Sequence, residues 1–225
     1  MGGDAARWWL GRGAAVVLPN PAPLTYVVAG TDPSAVNTAK GRPADQAVAL
    51  WSHDRATFAE VAGVLDLSDR HTILAGRLLE EERVTLLVPV RTGQAHPDWL
   101  APATKDGWTL LFGARWEPLL PVLDPFPVLY VSSANRTGLP PAGCVAAALE
   151  MFPSTPVLGD DPGAEAAGTD PGAGPAVGRR ATTTLRLDRD GGLTLHRHGA
   201  QDHPYPTAEA YLAHLRDRPR FRGLL

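Results

Sequence analysis

Residues 128–138 read VLYVSSANRTG, an apolar run that passes directly into small polar residues. The first half predicts a strand, and the polar half that ends in glycine predicts a turn. Ligands of open α/β sheets bind beyond the carboxyl ends of the strands, which would place Ser132, Ser133 and Asn135 at a site. The same residues would also suit a turn that only caps the next helix. This stretch alone leaves both interpretations open.

Short β-branched runs alternate with amphipathic segments on both sides of this stretch. Further strands are predicted at residues 14–18, 26–29, 46–51, 84–90, 108–112, 182–187 and 193–196. Helices are predicted at residues 34–39, 55–65, 70–82, 116–122, 141–152 and 207–216. Ser34 is the expected N-cap of the first helix. The alternation predicts an α/β domain with a largely buried mixed sheet.

The composition favours one globular domain and excludes several other classes. With 225 residues, of which 44% are hydrophobic, the chain can bury one sizeable core. A net charge of −3 offers no global attraction to nucleic acid, and the apolar runs are too short to span a membrane. Cys144 is the single cysteine, which excludes an internal disulfide and a multi-thiolate metal site. Because no targeting segment is visible, the expected location is the cytoplasm.

Three segments lie outside the regular pattern. Residues 159–180 are rich in Gly, Ala and Pro, and only about 45 residues follow them, so we predict a mobile loop within one domain. Residues 1–10 form an N-terminal extension, which Trp8 and Trp9 are expected to anchor on the core. Residues 201–225 hold the closing helix and an arginine-rich tail, for which solvated charge is the preferred interpretation.

Residues 40–43 read KGRP and combine two positive charges in one short loop. Lys40 is one of only two lysines in the chain. Gly41 permits a close backbone approach to a ligand, and Pro43 fixes the direction in which the chain leaves. Lys40 offers a point charge and Arg42 a planar fork, a pair that suits one phosphate or carboxylate. A solvated surface turn remains the alternative.

A group of histidines near the last predicted strand is weighed as a metal site and set aside. His196 and His198 would share one face of a strand, and Asp202 and His203 lie nearby in sequence. No third ligand occurs at a diagnostic spacing, so surface histidines are favoured and no protein metal site is predicted. Cys144 is expected to be an inert thiol in a helix.

These stretches, in this order, resemble the YrdC-like family, the threonylcarbamoyl-AMP synthases and their relatives. Lys40 and Arg42 match the family's Lys-x-Arg motif, and Ser133 and Asn135 match its Ser-x-Asn motif. The resemblance extends over residues 11–200. It implies a single YrdC-like domain, with a twisted mixed β-sheet flanked by helices and a central cleft.

The resemblance also implies a reaction. Residues 182–184 resemble the family's Ser-Thr-Val strand, and residues 197–199 resemble its Arg-x-Gly ending. Relatives combine L-threonine, bicarbonate and ATP into threonylcarbamoyl-AMP and pyrophosphate, with Mg²⁺ carried by the nucleotide. The implied enzyme is a nucleotidyltransferase that supplies the threonylcarbamoyl group of a tRNA adenosine modification (t6A).

By this resemblance, Lys40 and Arg42 are the catalytic residues and hold the triphosphate and the carbamate. Attack of a carbamate oxygen on the α-phosphorus brings two anions together, so catalysis would rest on positioning and charge neutralisation. The implied ATP site comprises Lys40, Arg42, Ser133, Asn135, Thr183 and Arg197.

The loop that shapes the family's amino-acid pocket differs in this chain. Residues 19–26 read PNPAPLTY where relatives carry Pro-Thr-Asp/Glu-Thr-x-Tyr, which leaves Asn20 and Tyr26 as the candidates for acceptor binding. Two alternatives therefore stay open: carbamoylation of a different acceptor in small-molecule biosynthesis, or a non-catalytic nucleotide- or RNA-binding protein. For an RNA contact, the arginine-rich tail at residues 216–222 is the first place to look.

Overall fold

The computed structural model describes residues 1–159 and 178–225, so most of the loop predicted at 159–180 lies outside the described residues. The strands are β1 (Val16–Leu18), β2 (Val27–Gly30), β3 (Ala49–Trp51), β4 (Thr85–Pro89), β5 (Thr104–Lys105), β6 (Trp108–Phe112), β7 (Tyr130–Ser133), β8 (Thr184–Leu187) and β9 (Leu193–Arg197). Every predicted strand and helix has a counterpart, with bounds that differ by a few residues.

The α-helices are α1 (Gly3–Leu10), α2 (Pro33–Ala39), α3 (Arg55–Val64), α4 (Asp69–Arg77), α5 (Leu120–Leu123), α6 (Val145–Met151) and α7 (Ala208–Asp217). Tighter 3₁₀ turns occupy Asp98–Ala103 and Glu117–Leu119. No helix in this described part of the chain combines the length and the apolar composition that crossing a membrane requires.

The contacts divide the chain into two compact units. Unit 1 comprises Met1–Val48 and Trp116–Ala181, and unit 2 comprises Ala49–Arg115 and Thr182–Leu225. Each unit contains both strands and helices, and parallel and antiparallel strand pairs both occur. The predicted α/β class with a mixed sheet is therefore confirmed, while the boundaries predicted at residues 10 and 200 stay a prediction.

In unit 1 the strand order is β1-β2-β7, and neighbouring strands run antiparallel. All residues of β1 and β2 are buried, as expected for runs of valine and other apolar residues. Val27 at the start of β2 pairs with Ser133 at the end of β7. The loop before β2 and the Ser-Ala-Asn segment after β7 therefore lie at the same end of this sheet.

Helix α2 begins one residue earlier than predicted. The side chain of Asp32 accepts a hydrogen bond from the Ser34 backbone N–H (2.8 Å), so Asp32 is the N-cap and the prediction of Ser34 was wrong. The reason is Pro33, whose fixed φ and missing N–H suit the first helical position and move the cap to the residue before it.

The N-terminal segment is a helix, α1, and it does not pack through its tryptophans. Trp8 and Trp9 are 53% and 39% exposed, whereas Ala6 and Leu10 are buried, so the predicted Trp8–Trp9 anchor was wrong. Consecutive helical residues point about 100° apart, while residues four apart share a face. The face with Ala6 and Leu10 is therefore the one that contacts the core.

In unit 2 the strand order is β3-β6-β4-β8-β9, with β5 beside β6. β3 pairs with β6 in parallel and β4 pairs with β8 in parallel, whereas the β4–β6 and β8–β9 pairs are antiparallel. The strand pair predicted around residues 190–192 is the β8–β9 hairpin. The N-caps of helices α3 and α4 are Asp54 and Ser68, whose side chains accept backbone N–H groups of the first turn.

The arginine-rich tail is partly neutralised by acidic residues of its own unit. Helix α4 continues as a π-helix, Leu78–Glu82. Arg218 forms an ion pair with Glu82, and Arg220 Nη1 lies 3.1 Å from Glu81 Oε2. Solvated charge thus describes only part of the tail, because two of its arginines are engaged within unit 2.

Candidate functional site

Lys40 follows the last residue of α2 and is buried, with 2% of its surface exposed. Gly41 turns the chain with a φ of 67°, a left-handed conformation that glycine adopts without strain. A lysine this deeply buried requires partners, because an unpaired charge away from water is unstable. The partners of its ammonium therefore show what the residue does in unit 1.

The ammonium of Lys40 is bound by the last residue of β7 and by the segment that follows it. Nζ donates hydrogen bonds to the backbone oxygen of Ser133, to the backbone oxygen of Asn135 (2.8 Å) and to Asn135 Oδ1 (3.0 Å). Ser133 Oγ donates to the same Oδ1 at 2.6 Å. The structure thus brings together Lys40, Ser133 and Asn135, three of the residues predicted for the ATP site.

Arg42 completes this group, which we call the Lys40 cluster: Lys40, Arg42, Ser132, Ser133 and Asn135. Arg42 Nη1 donates to Ser132 Oγ at 3.2 Å. Among the residues that the structure describes, the other N–H groups of this half-buried guanidinium have no hydrogen-bond partner. Arg42 is therefore the member of the cluster with donors left for an anion.

The electrostatics of the cluster favour a negatively charged ligand. Burial, with a smaller effect from the charge of Arg42, lowers the pKa of Lys40 to about 7. Burial also lowers the pKa of Arg42 below its usual value. The three oxygen acceptors around Lys40 Nζ favour the ammonium form, so burial and hydrogen bonding oppose each other here. An incoming anion would tip this balance toward the charged lysine.

The cluster contains no carboxylate, the ligand that Mg²⁺ prefers in proteins. Its side chains are positively charged or neutral. A divalent cation would therefore fit here only if phosphate oxygens of the nucleotide supplied its ligands. Elsewhere, among residues 1–159 and 178–225, no group of three or more His, Cys, Asp or Glu is arranged to hold a metal ion.

Both acceptor candidates are buried at the same end of unit 1. Asn20 and Tyr26 are 1% and 2% exposed. Asn20 Nδ2 donates to the Thr25 backbone oxygen at 2.9 Å. The backbone oxygen of Tyr26 accepts the N–H of Ala134 (2.9 Å), inside the Ser-Ala-Asn segment. The acceptor loop is thus joined by its backbone to Ala134, which lies between Ser133 and Asn135 of the Lys40 cluster.

Thr183 and Arg197, the other two predicted ATP-site residues, belong to unit 2. Thr183 is fully buried, and its Oγ1 donates to Asp202 Oδ1 at 2.6 Å. The same hydroxyl accepts the backbone N–H groups of Gln201 (3.0 Å) and Asp202 (3.1 Å). Arg197 is exposed and makes a long hydrogen bond to the Thr182 backbone oxygen (3.4 Å). The nucleotide roles of Thr183 and Arg197 stay predictions.

Asp202 is the centre of a small buried network in unit 2. Its carboxylate accepts Thr183 Oγ1, the Gly199 N–H at 2.7 Å, and a hydrogen bond with His198 Nδ1 at 2.6 Å. Burial alone would raise the pKa of Asp202, but these hydrogen bonds outweigh it and hold the pKa below its usual value. His198, at first weighed as a metal ligand, therefore serves as a partner of Asp202.

Sequence analysis did not predict the roles of three residues that shape these sites: Asn37, Gln201 and Asp202. Asn37 and Asp202 are polar and fully or nearly fully buried, and burial of a polar side chain cannot be recognised before the fold is known. Ser132 was expected at the site beside Ser133 and Asn135, and it accepts the hydrogen bond from Arg42 there. No signal pointed to Gln201, whose side chain accepts the Thr183 N–H at 2.8 Å.

Comparison with solved structures identifies the fold. Sua5 from P. abyssi, solved in complex with L-threonine, matches 88% of this chain with a TM-score of 0.62 and 19% identity. HypF, solved in a phosphate- and nucleotide-bound form, matches 91% of the chain with a TM-score of 0.64 and 16% identity. YciO from E. coli matches 88% with a TM-score of 0.56 and 13% identity. This chain has the YrdC-like fold.

The predicted resemblance is thereby confirmed at the level of the fold. No protein-family model matches the sequence, and no curated protein matches it. The chain spans about half the length of the Sua5 protein (54%) and 30% of HypF, but 88% of YciO. The YrdC-like fold is therefore a whole small protein in one relative and a part of a larger one in the others.

Proposed function

We propose that this chain is a divergent YrdC-like protein that binds ATP and forms a carbamoyl-AMP-type intermediate. The observation that supports this most is the Lys40 cluster. In it, a buried ammonium joins the Lys-Gly-Arg loop to the Ser-Ala-Asn segment. Those two segments are the motifs through which the sequence resembles the family. The nucleotide-bound state of HypF and the L-threonine complex of Sua5 add support through the shared fold.

The proposed reaction has two bond-forming steps. The amine of the acceptor attacks the carbon of bicarbonate, a nitrogen–carbon bond forms, and water leaves, which gives a carbamate. A carbamate oxygen then attacks the α-phosphorus of ATP. The bond between the α-phosphorus and its bridging oxygen breaks, and pyrophosphate leaves with that electron pair. Mg²⁺ enters with ATP and neutralises charge on the phosphates when bound.

Different members of the cluster would have different roles. Arg42 contacts the phosphates, because its guanidinium retains N–H groups to donate. Lys40 supplies positive charge rather than hydrogen bonds to the phosphates, since its three hydrogen bonds already go to Ser133 and Asn135. It also holds those two residues in place for the nucleotide. Both roles stabilise the transition state by preorganised charge.

For the acceptor we propose L-threonine, with t6A in tRNA as the destination of the carbamoyl group. This role is the one that the resemblance implies. An acceptor pocket near Asn20 and Tyr26 is supported by the backbone hydrogen bond between Tyr26 and Ala134, which joins that loop to the cluster.

A second candidate is the carbamoylation of a different acceptor. It is supported by the state of Asn20, whose amide donates to the Thr25 carbonyl within its own loop. That hydrogen bond leaves the amide fewer groups with which to recognise a substrate hydroxyl. A site with fewer such groups discriminates more weakly in favour of threonine.

Pyrophosphate release from ATP tests the proposal directly. The protein, ATP, Mg²⁺ and bicarbonate are combined with a panel of amino acids and amines, and the adenylate product is identified by mass spectrometry. We expect release that requires both bicarbonate and an amine and that falls in Arg42→Gln. ATP binding without turnover on any acceptor would favour a nucleotide-binding protein, and absence of ATP binding would refute the proposal.

The acceptor is tested separately in cells. The chain is expressed in a strain that lacks its own threonylcarbamoyl-AMP synthase, and t6A is measured in its tRNA by mass spectrometry. Restoration of t6A supports L-threonine as the acceptor. Failure by a well-expressed protein that releases pyrophosphate with another amine supports the second candidate.

A further inference from the structure

Asn37 is a polar residue buried inside unit 1, in the last turn of α2. It is 0% exposed, and a buried amide that finds no hydrogen bonds destabilises the fold. Its Nδ2 donates to the backbone oxygens of Ala44 (3.1 Å) and Gln46 (2.7 Å). The side chain therefore reaches forward along the chain, to carbonyls seven and nine residues away.

The backbone of the same residue binds the near end of that segment. The carbonyl oxygen of Asn37 accepts the N–H of Lys40 at 3.1 Å and the N–H of Arg42 at 2.9 Å. One residue thus makes four hydrogen bonds to residues 40–46, two at the beginning and two at the end. The segment between them carries both cationic residues of the Lys40 cluster.

Packing contributes little to the order of the second half of this segment. Residues 43–47 are all exposed, so no apolar burial holds them in place. Within the part of the chain that the structure describes, Asn37 Oδ1 is buried and has no hydrogen-bond partner. An asparagine that leaves its own oxygen unsatisfied is useful here only through its two N–H donors. Those donors act on the 40–46 segment alone.

We infer that Asn37 is a positioning residue, whose side-chain amide holds residues 40–46 in the conformation that brings Lys40 to Asn135 and Arg42 to Ser132. Within the described residues, the Asn37 side chain donates its hydrogen bonds to the segment and to neither of these partners. The inference rests on the proposed function where it concerns ATP. Its claim about the order of residues 40–46 stands on the hydrogen bonds themselves.

The test compares Asn37→Leu with Thr109→Val. Leucine has the same number and branching of side-chain heavy atoms, although its methyl groups are bulkier, and it donates no hydrogen bond. Thr109, fully buried in unit 2, donates from Oγ1 to the Ala103 oxygen at 3.3 Å, so its replacement removes a buried side-chain-to-backbone hydrogen bond far along the chain from residue 40. Native-state amide hydrogen exchange is measured for residues 40–46 in both variants. The kcat and KM for ATP are measured alongside.

We expect exchange in residues 40–46 to accelerate about tenfold or more in Asn37→Leu and to stay unchanged in Thr109→Val. The kcat/KM for ATP should fall about tenfold in Asn37→Leu, mainly through a higher KM, because the segment must be ordered when ATP binds. Should Asn37→Leu fail to fold, Asn37→Ser, which is small and cannot reach both carbonyls, supplies the same comparison.

Unchanged exchange in residues 40–46 would overturn the inference, as would an equal loss of ATP affinity in Thr109→Val. Faster exchange together with an unchanged KM for ATP would overturn the positioning role. If the wild-type protein binds no ATP, the proposed function fails, and the exchange comparison alone then decides whether Asn37 orders the segment.

Discussion

The ammonium of Lys40 lies 3.0 Å from Oδ1 of Asn135, although 95 positions separate the two residues in the chain. This contact joins the C-terminal end of α2 to the segment that follows β7. Since Lys40 is buried and Asn135 half-buried, the contact is screened by salt less than a surface contact would be. It is therefore a structural link as well as a source of positive charge.

The first prediction concerns this link. Lys40→Met keeps a long apolar side chain but removes the three hydrogen bonds that the ammonium donates to oxygens of Ser133 and Asn135. We expect the free energy of unfolding to fall by about 1–3 kcal/mol and ATP affinity to weaken at least about tenfold. Chemical denaturation and calorimetry measure the two effects. Lys105→Met, at the exposed second lysine, is the control and should change neither; equal behaviour of both variants would contradict the assignment.

The second prediction concerns protons. Because the pKa of Lys40 is lowered to about 7, most of the residue is neutral at about pH 8 in the free protein. Bound phosphates favour the charged form and raise this pKa, so ATP binding should take up a proton at pH 8 and almost none at about pH 6. Calorimetry in buffers of different ionisation enthalpy measures the uptake. Proton uptake that persists in Lys40→Met would assign it to another group.

A third prediction uses the Asp202 network. Asp202→Asn removes the charge that accepts hydrogen bonds from Thr183, Gly199 and His198. We expect the free energy of unfolding to fall by about 1–3 kcal/mol at neutral pH. The pKa of Asp202 is lower folded than unfolded, so its contribution to stability is present above the unfolded value of about 4 and is lost as the pH falls through the folded value. The difference in the free energy of unfolding between wild type and variant, measured by urea denaturation, should therefore become smaller below about pH 4. A gap that is constant with pH would contradict this role of the charge.

The fourth prediction concerns two glycines of unit 2. A Cβ on Gly113 would lie 2.4 Å from the Leu79 backbone oxygen, a clash that no side-chain movement relieves. We expect Gly113→Ala to destabilise by about 1–3 kcal/mol or more. Gly63 lies exposed in α3 with nothing within 4 Å of the position of an added Cβ, so Gly63→Ala should instead stabilise by up to about 1 kcal/mol. Thermal unfolding distinguishes the two, and the same sign for both would contradict the packing of Gly113 on the π-helix.

Local patterns were enough to predict the elements of the fold. The β-branched runs became strands because their apolar side chains could be buried, as in β1 and β2. Local patterns failed where two neighbouring signals competed. Ser34 is a good capping residue, but Pro33 determines where α2 begins. The large side chains of Trp8 and Trp9 suggested that they pack on the core, whereas the buried face of α1 carries Ala6 and Leu10.

The candidate site could be predicted in part. The motif order indicated Lys40 and Asn135, and the structure joins them. The role of Asn37 could not be predicted. It depends on a turn of the chain that brings the backbone oxygen of Ala44 to within 3.1 Å of the Asn37 side-chain nitrogen. Asp202 was considered only as a neighbour of histidines, since nothing in the sequence shows that Thr183 and Gly199 direct their donors at it.

The scarcity of lysine, together with the burial of Lys40, makes this residue a natural reporter. Lys105 is exposed, so an amine-reactive reagent modifies it rapidly. Lys40 is buried, so the reagent reaches it only when the surrounding structure opens locally. A spectrum of the protein with isotope-labelled lysine contains two side-chain signals, one from each environment. The occupancy of the candidate site can thus be followed in solution through one unmodified residue, with its counterpart at position 105 as an internal standard.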